Sequence, residues 1–317
     1  MPELGFQDVR AAHARIREHI HRTPVLTCAH FDRVTGARVL FKCENFQRTG
    51  AFKLRGALNA VLGLSEDELA RGVLTASSGN HGQALAYAAR LRGARCWVVL
   101  PEDATPVKRA AMRGYGAELV VASRDPDERL GRAEALQQET GAVFVPPFND
   151  PAIVAGQGTA ALELVQDAGP VDVLLAPVGG GGLASGTALA AAGLTPQPRV
   201  LGAEPAAADD AARSLACGRR LPSEHPSTMA DGLRSSLGEL TFRILRERLA
   251  GIVTVDEPAI AQAMRTVWER MKIVIEPSAA VAVAALLSGE VARPGERVGV
   301  ILSGGNVDLD RLPWADG

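Results

Sequence analysis

The chain has 317 residues, 47% of them hydrophobic, and a formal net charge of −2. That length accommodates two ordinary domains sharing an interface, and the apolar content excludes a largely disordered chain. Arginines are scattered among acids with no basic block for nucleic acid, and the longest apolar stretches, such as 279–287, are too short to span a bilayer.

Helical spacing over 7–20 places Val9, Ala12, Ile16 and Ile20 on one face. Residues 23–26 read as a loop, 38–44 as a strand, and 52–62 as a helix opened by the Thr49-Gly50 turn. A buried strand over 72–76 runs through Ser77-Ser78-Gly79-Asn80 into a helix ending at Arg92. Strands over 96–100, 118–121 and 143–145 alternate with helices over 105–115 and 127–140, and Pro146-Pro147 closes this series. A second series comprises helix 151–168, strand 171–178, helix 183–192, strand 200–203, helix 206–217, strand 252–255, helices 257–271 and 277–288, and strand 298–302. Such alternation predicts an α/β fold of two doubly wound, mostly parallel sheets with helices on both faces, divided near 146–150. Cys28, Cys43, Cys96 and Cys217 are far apart, with no metal-ligand spacing, and read as reduced thiols of a cytoplasmic protein. The N-terminus carries no signal-peptide core.

Gly179, Gly180, Gly181 and Gly182 join the 171–178 strand to the next helix. Without a Cβ the backbone can approach a ligand closely, and the helix start adds unpaired N–H groups and a positive dipole end. The result is an anion cup whose usual occupant is phosphate. Lys53 stands in the small-residue turn Thr49-Gly50-Ala51-Phe52-Lys53, and burial beside Phe52 would lower the pKa of its amine. Cup and lysine together suggest a phosphate-bearing aldehyde cofactor held as a Schiff base. Ser77-Ser78-Gly79-Asn80-His81-Gly82 suits a carboxylate, with ordinary helix capping as the alternative. Ser303-Gly304-Gly305-Asn306 follows the last strand, where the C-terminal edge of a parallel sheet faces a ligand crevice; a plain turn is the alternative. Gly179-x-Gly181-x-x-Ala184 followed by Glu204 imitates a nicotinamide-dinucleotide fingerprint, but that reading leaves Lys53 and Ser303–Asn306 unexplained.

Taken together, Lys42-x-Glu44-x-x-Gln47-x-Thr49-Gly50-Ala51-Phe52-Lys53-x-Arg55-Gly56-Ala57 resembles the cofactor-lysine signature of fold type II pyridoxal-phosphate enzymes. More narrowly it is similar to the serine/threonine dehydratase and serine racemase group. Ser77–Gln83, Ala155–Thr159, Gly179–Gly182, Ala230-Asp231-Gly232 and Ser303–Asn306 match in order, so the resemblance runs from about residue 20 to 308. It implies a tryptophan synthase β-like fold with the cofactor between two domains: residues 1–69 and 150–317 as a large cofactor-binding domain, 70–149 as a small mobile one. It further implies that Lys53 forms a Schiff base with pyridoxal 5′-phosphate, that Phe52 packs beside the ring and that Asn80 bonds its 3′-oxygen. Gly179 to Gly182 would wrap the phosphate and Ser303 would bond the pyridine nitrogen. Ser77, Asn80 and His81 would receive the substrate carboxylate, and Arg129 corresponds to a substrate-facing arginine of the racemases, with a solvated helix face as the alternative; Ser235 and Ser236, after the Ala230-Asp231-Gly232 turn, are placed to approach substrate as well.

The implied reaction is α-proton removal by Lys53 and loss of the β-hydroxyl, as in an L-threonine/L-serine dehydratase. Alternatives are a serine racemase, with Ser78 as acid/base on the opposite face, and a threo-3-hydroxyaspartate dehydratase. Pro147-Phe148-Asn149-Asp150-Pro151 resembles the dehydratase version of its loop. Within the same cofactor fold, β-replacement chemistry is a further route, and a non-catalytic binding protein requires that Lys53 never engage cofactor. The racemase-like branch implies Mg²⁺ or Ca²⁺ on Glu204, the Ala208 carbonyl and Asp210; the alternative is acids favoured at a helix first turn. A homodimer is expected from the family, and the end of the chain at Gly317 predicts no appended regulatory domain.

Overall fold

Apolar strands pair as two separate sheets in the computed structural model, which describes residues 4–104, 106–224 and 226–314, the Pro126 side chain excepted. In chain order the elements are α1 (Phe6–Ile16), β1 (Val25–Leu26), α2 (Ala29–Thr35), β2 (Arg38–Cys43), α3 (Lys53–Val61), α4 (Glu66–Arg71), β3 (Val73–Ala76), α5 (Asn80–Leu91) and β4 (Cys96–Pro101). Then come α6 (Pro106–Gly114), β5 (Glu118–Ala122), α7 (Pro126–Thr140), β6 (Val143–Phe144), α8 (Pro151–Ala168), β7 (Val173–Pro177), α9 (Gly182–Ala191) and β8 (Arg199–Pro205). The series ends with α10 (Asp210–Cys217), α11 (Glu239–Arg248), β9 (Gly251–Val255), α12 (Glu257–Met271), α13 (Pro277–Leu287) and β10 (Arg297–Leu302).

Six strands pair in the order β1-β2-β10-β7-β8-β9, and four in the order β5-β4-β3-β6. Every pairing is parallel except β1 with β2, where Val25 faces Lys42 and Leu26 faces Phe41. The four-stranded sheet is built wholly from residues 73–144, inserted between the strands of the larger one. Central strands such as β7 and β10 are buried nearly throughout, as expected of parallel strands covered on both faces.

Several expectations shift. The predicted loop at 23–26 contains β1, an edge strand of two residues that no periodicity could reveal. The first helix stops at Ile16, and Glu44 falls in a 3₁₀ turn after β2. The helix predicted over 206–217 is a 3₁₀ turn at Ala206–Ala208 followed by α10. Helices α2, α4 and α11 were not expected; α4 is announced by a capping box, Ser65 accepting from the Glu68 N–H while the Glu68 carboxylate accepts from Ser65.

Close helix contacts carry the site. An ideal Cβ on Gly156 would lie 2.6 Å from the Gly56 Cα, and one on Gly158 would lie 2.5 Å from the Gly186 carbonyl oxygen. Glycine at these points lets α3, α8 and α9 pack backbone to backbone. Beneath the start of α3, the fully buried Arg55 guanidinium donates to Glu44 at 2.7 and 2.8 Å and to Glu163 at 3.0 and 2.8 Å. The Lys42 ammonium, also buried, lies 2.8 Å from Glu163 and donates to the Thr23 carbonyl at 2.7 Å. Two cations and two anions thus neutralise one another, which buried charges require. They join the end of β2, the first turn of α3 and the middle of α8. Arg55 is two residues from Lys53, so this network fixes the helix end from which Lys53 projects.

Candidate active site

A cleft of about 170 Å³ opens at the C-terminal ends of β3, β7 and β10, between the two sheets. Lys53, the first residue of α3, points into it. The turn before it is pinned to the segment after β10. The Phe52 N–H donates to the Ser303 carbonyl at 3.0 Å, and the Gly305 N–H donates to the Gly50 carbonyl at 2.9 Å. Gly50 has φ +72°, and a Cβ there would lie 2.3 Å from the Asn306 side-chain oxygen, so only glycine fits. Lys53 Nζ donates to the Pro147 carbonyl at 2.8 Å and lies 5.2 Å from the Phe52 ring centroid. Burial pulls its amine down to about 8, opposed by the negative charge of Glu276.

Opposite the lysine, the glycine turn leads into α9. Gly181 has φ +85°, and the Thr241 hydroxyl donates to the Gly180 carbonyl at 2.8 Å, which holds the turn in shape. A Cβ on Gly180 would lie 2.3 Å from the Phe148 ring. The first N–H groups of α9 have no intrahelical acceptor, so the turn presents donors and a positive dipole end to the cleft. A lysine with a lowered pKa facing a Cβ-less donor cradle fits an aldehyde carrying a phosphate. Ser303, buried at the end of β10, lines the same cleft.

The Ser77–Gly82 segment divides between capping and binding. Ser77 Oγ accepts from the Gly79 and Gly82 N–H groups at 3.3 and 3.2 Å, so its side chain caps α5. The N–H groups of Asn80 and His81, in the first turn, have no intrahelical acceptor and remain for an anion. Ser78 is exposed to the cleft, and its hydroxyl has no protein partner among the described residues. His81 Nε2 lies 3.0 Å from the Val145 carbonyl oxygen. A carbonyl only accepts, so Nε2 carries the proton, and Nδ1 is left as a buried acceptor without a partner. Burial, then the Lys53 charge, pushes the ring down to about 3. A neutral ring with only a lone pair to offer cannot donate to a carboxylate, so any such contact at His81 belongs to its main-chain N–H.

Sequence reasoning missed Glu276. Its buried carboxylate accepts from the Asn80 side-chain amide at 2.8 and 3.1 Å, while the Asn80 oxygen accepts from Asn306 at 2.9 Å. Burial, then the charge of Asp231, pushes Glu276 up to about 7. Its sequence signal is an acid directly before Pro277: Pro already marks the start of α13, and Glu276 makes no capping bond there. Lys108 was also missed. It lines the cleft and forms an ion pair with Asp231 of the Ala230-Asp231-Gly232 motif. Arg129 and Ser235 line the cleft as well. Ser236 does not; its hydroxyl accepts from the Ser223 N–H at 2.8 Å.

The carboxylates predicted to hold a cation lie elsewhere, at the start of α10. Glu204 accepts from the Ala211 and Ala212 N–H groups at 3.0 and 2.9 Å, the helix-capping arrangement. Asp210 accepts from the Leu237 N–H through one oxygen and has the Ser223 hydroxyl beside it, yet its other oxygen and that hydroxyl are both buried without a hydrogen bond of ordinary geometry. Burial is the main cause that raises Glu204 to about 8 and Asp210 to about 6, and both side chains are removed from solvent. An unpartnered carboxylate oxygen beside a second desolvated acid fits a hard cation. No cluster of three or more His, Cys, Asp or Glu side chains with metal-binding geometry occurs among the described residues, so a backbone carbonyl such as that of Ala208 would have to contribute.

Lysine, glycine cradle and parallel-sheet crevice define a cofactor-dependent enzyme of the fold type II class. Comparison with known proteins gives the family. Residues 16–304 match the family described as Pyridoxal-phosphate dependent enzyme, and the chain belongs to it. A "beta-hydroxyaspartate dehydratase" of Paracoccus denitrificans is 47% identical, covering 98% of both chains. The crystal structure of serine racemase from Dictyostelium discoideum is 46% identical with a TM-score of 0.91, covering 96% of this chain and 99% of that one. A threonine deaminase crystal structure is 48% identical with a TM-score of 0.90, covering 96% of this chain and 99% of that one. No helix among the described residues is long and apolar enough to cross a membrane.

Proposed function

We propose that the protein is a hydroxy-amino-acid ammonia-lyase, an L-threonine/L-serine dehydratase that releases a 2-oxo acid and ammonia. The observation that carries the reading is Lys53: an amine that donates to the Pro147 carbonyl at 2.8 Å in the same cleft as the glycine cradle. When bound, pyridoxal phosphate supplies an aldehyde for the amines of Lys53 and substrate and a ring that withdraws electrons from the substrate α-carbon. Gly179 to Gly182 and the N-terminus of α9 would hold its phosphate, Phe52 would pack beside it, and Asn80 and Ser303 would bond its ring. The main-chain N–H groups of Asn80 and His81 take the substrate carboxylate, which fixes the α-hydrogen toward Lys53. Lys53 in its neutral form accepts that proton, and its depressed pKa keeps a sizeable neutral fraction near pH 8. The Pro147 carbonyl is placed to orient the amine while it is free to act as base. The β-hydroxyl leaves as water after taking up a proton.

Ser78 favours a second activity. Its unpartnered hydroxyl stands in the cleft on the segment facing α3, where it can exchange a proton with the other face of the α-carbon; serine racemases are among the relatives. The two activities use one site and differ in whether the β-hydroxyl departs before Ser78 returns a proton. The chain is further proposed to act as a cytoplasmic homodimer with residues 70–149 as the moving domain, and to bind Mg²⁺ or Ca²⁺ at Glu204, the Ala208 carbonyl and Asp210.

The test is a substrate panel. Purified protein supplied with pyridoxal phosphate is incubated with L-serine, L-threonine and 3-hydroxyaspartate, and 2-oxo acid, ammonia and D-serine are measured. Stoichiometric 2-oxo acid and ammonia from any of the three supports the lyase. D-serine alone makes the racemase the main activity, and no product from any substrate removes the reading.

A further inference from the structure

The Ala230-Asp231-Gly232 motif has no part in the chemistry above, yet its acid reaches across the cleft. Asp231 lies in the 3₁₀ turn Asp231–Leu233, against the glycine cradle: a Cβ on Gly179 would lie 2.8 Å from the Leu233 Cα. Its carboxylate meets the ammonium of Lys108, which projects from α6 on the four-stranded side. Both side chains line the cleft, and both are partly open to solvent, Lys108 at 20% and Asp231 at 43%. An ideal Cβ on Gly79 would lie 3.9 Å from Lys108 Nζ, so this cation stands beside the open N–H groups at the start of α5. Arg129, from α7, adds a second cation to the same wall, and its guanidinium donates to the Ser123 and Arg124 carbonyls.

A carboxylate placed on a cation next to the substrate's own carboxylate site is what a dianionic ligand would supply. We propose that Lys108 is a specificity residue for substrates carrying a second carboxylate, which displaces Asp231 from the ammonium. The exchange swaps one anion for another on Lys108, so the ammonium is never left unpaired in the cleft. A pair this exposed is held weakly enough to open. A serine or threonine side chain brings no such group and leaves Asp231 in place. The further substrate class that follows, beside serine and threonine, is a β-hydroxy-α-amino dicarboxylic acid. Loss of its α-hydrogen to Lys53 and of its β-hydroxyl as water leaves an enamine, whose imine takes up one water and yields a 2-oxo dicarboxylic acid and ammonia.

This inference rests on the lyase reading, and its test separates the two. Holoenzyme is assayed with 3-hydroxyaspartate and L-serine as wild type, Lys108→Gln, Lys108→Arg and Asp231→Asn. Lys108→Gln should lower the kcat/KM ratio of 3-hydroxyaspartate to serine about tenfold, through KM, with recovery in Lys108→Arg. Asp231→Asn should raise that ratio by removing the resident competitor. In parallel, the thermal shift given by succinate, compared with butyrate, should be larger in the wild type and lost in Lys108→Gln. A ratio unchanged in Lys108→Gln, or equal shifts from the two acids in the wild type, overturns the role of Lys108. If no substrate yields 2-oxo acid, the lyase reading fails while the succinate titration still decides Lys108.

Discussion

The side-chain amide of Asn80 donates to both carboxylate oxygens of Glu276, at 2.8 and 3.1 Å, across the cleft between the two sheets. Asn306 extends the chain by donating to Asn80 at 2.9 Å and to the Thr49 carbonyl at 2.8 Å. The residue assigned to the cofactor ring is thus held by an acid with an ordinary pKa of 4.5 that burial has raised to about 7. A folded-state pKa above the unfolded value means that the native protein binds an extra proton between the two. Glu276 therefore costs stability as pH rises from about 4.5 to 7. Glu276→Gln, which keeps an acceptor for Asn80, should flatten Tm against pH in that window and remove an inflection near pH 7 from kcat/KM. An inflection that persists in the variant would assign it to another group.

Lys53 titrates with the opposite sign. Its ammonium is lowered from 10.5 to about 8, so between those values the unfolded chain holds a proton that the native state has released. Stability of the cofactor-free protein should rise with pH across that window as the desolvation penalty is relieved. The rate at which pyridoxal phosphate attaches should rise with a midpoint near 8, followed by absorbance and by borohydride trapping with peptide mapping to Lys53. A midpoint close to 10.5, or label at another lysine, would contradict the assignment. Lys53→Ala should lose more than about a thousandfold of activity, as the base and the covalent tether disappear together.

Much of this was legible in the sequence because each cue is local. Four glycines after an apolar run and Ser303-Gly304-Gly305 after the last strand each specify a turn at a strand end, Thr49-Gly50 specifies the turn before Lys53, and parallel topology gathers strand ends into one crevice. What escaped depends on contacts between distant segments. Glu276 and Asn80 are 196 positions apart, and Lys108 and Asp231 are 123 apart, so no spacing rule connects them. The state of the His81 ring was hidden for a similar reason: only the fold shows that the Val145 carbonyl takes its one proton. Short elements such as β1 escaped because two residues carry no period.

The glycine cradle is predicted to be intolerant of a single methyl. At Gly180 a Cβ would lie 2.3 Å from the Phe148 ring, and the Pro147–Phe148 backbone that positions this ring also supplies the acceptor of Lys53. Gly180→Ala should cost about 1–3 kcal/mol through overpacking. It should also weaken pyridoxal phosphate binding at least about tenfold, read by equilibrium dialysis, because the donors of the turn move with the displaced ring. Phe148→Leu in the same chain should restore part of the affinity if the clash is the cause.

Ser78 and Lys53 should be separable by product. With L-serine, Ser78→Ala is expected to abolish D-serine formation while pyruvate release falls far less, since elimination needs a base on one face only. Equal loss of both products would make Ser78 a general contributor to substrate binding. Lys53→Ala should abolish both.

The acids at the start of α10 yield a prediction away from the cleft. Glu204 and Asp210 are raised chiefly by burial, and repulsion from Asp210 adds to the rise at Glu204; one Asp210 oxygen has no partner. A divalent cation would relieve both effects, and binding it only in the native state adds about 2.7 kcal/mol when the ion is a hundredfold above its Kd. Removal of the ion with a chelator should therefore lower Tm by several degrees, with Ca²⁺ or Mg²⁺ restoring it. The double variant Glu204→Gln with Asp210→Asn should be insensitive to chelator. Its own Tm need not fall far, since Gln can still accept from Ala211 and an amide at 210 carries no charge to desolvate. Chelator with no effect on the wild type would leave Glu204 as a cap of α10 and nothing more.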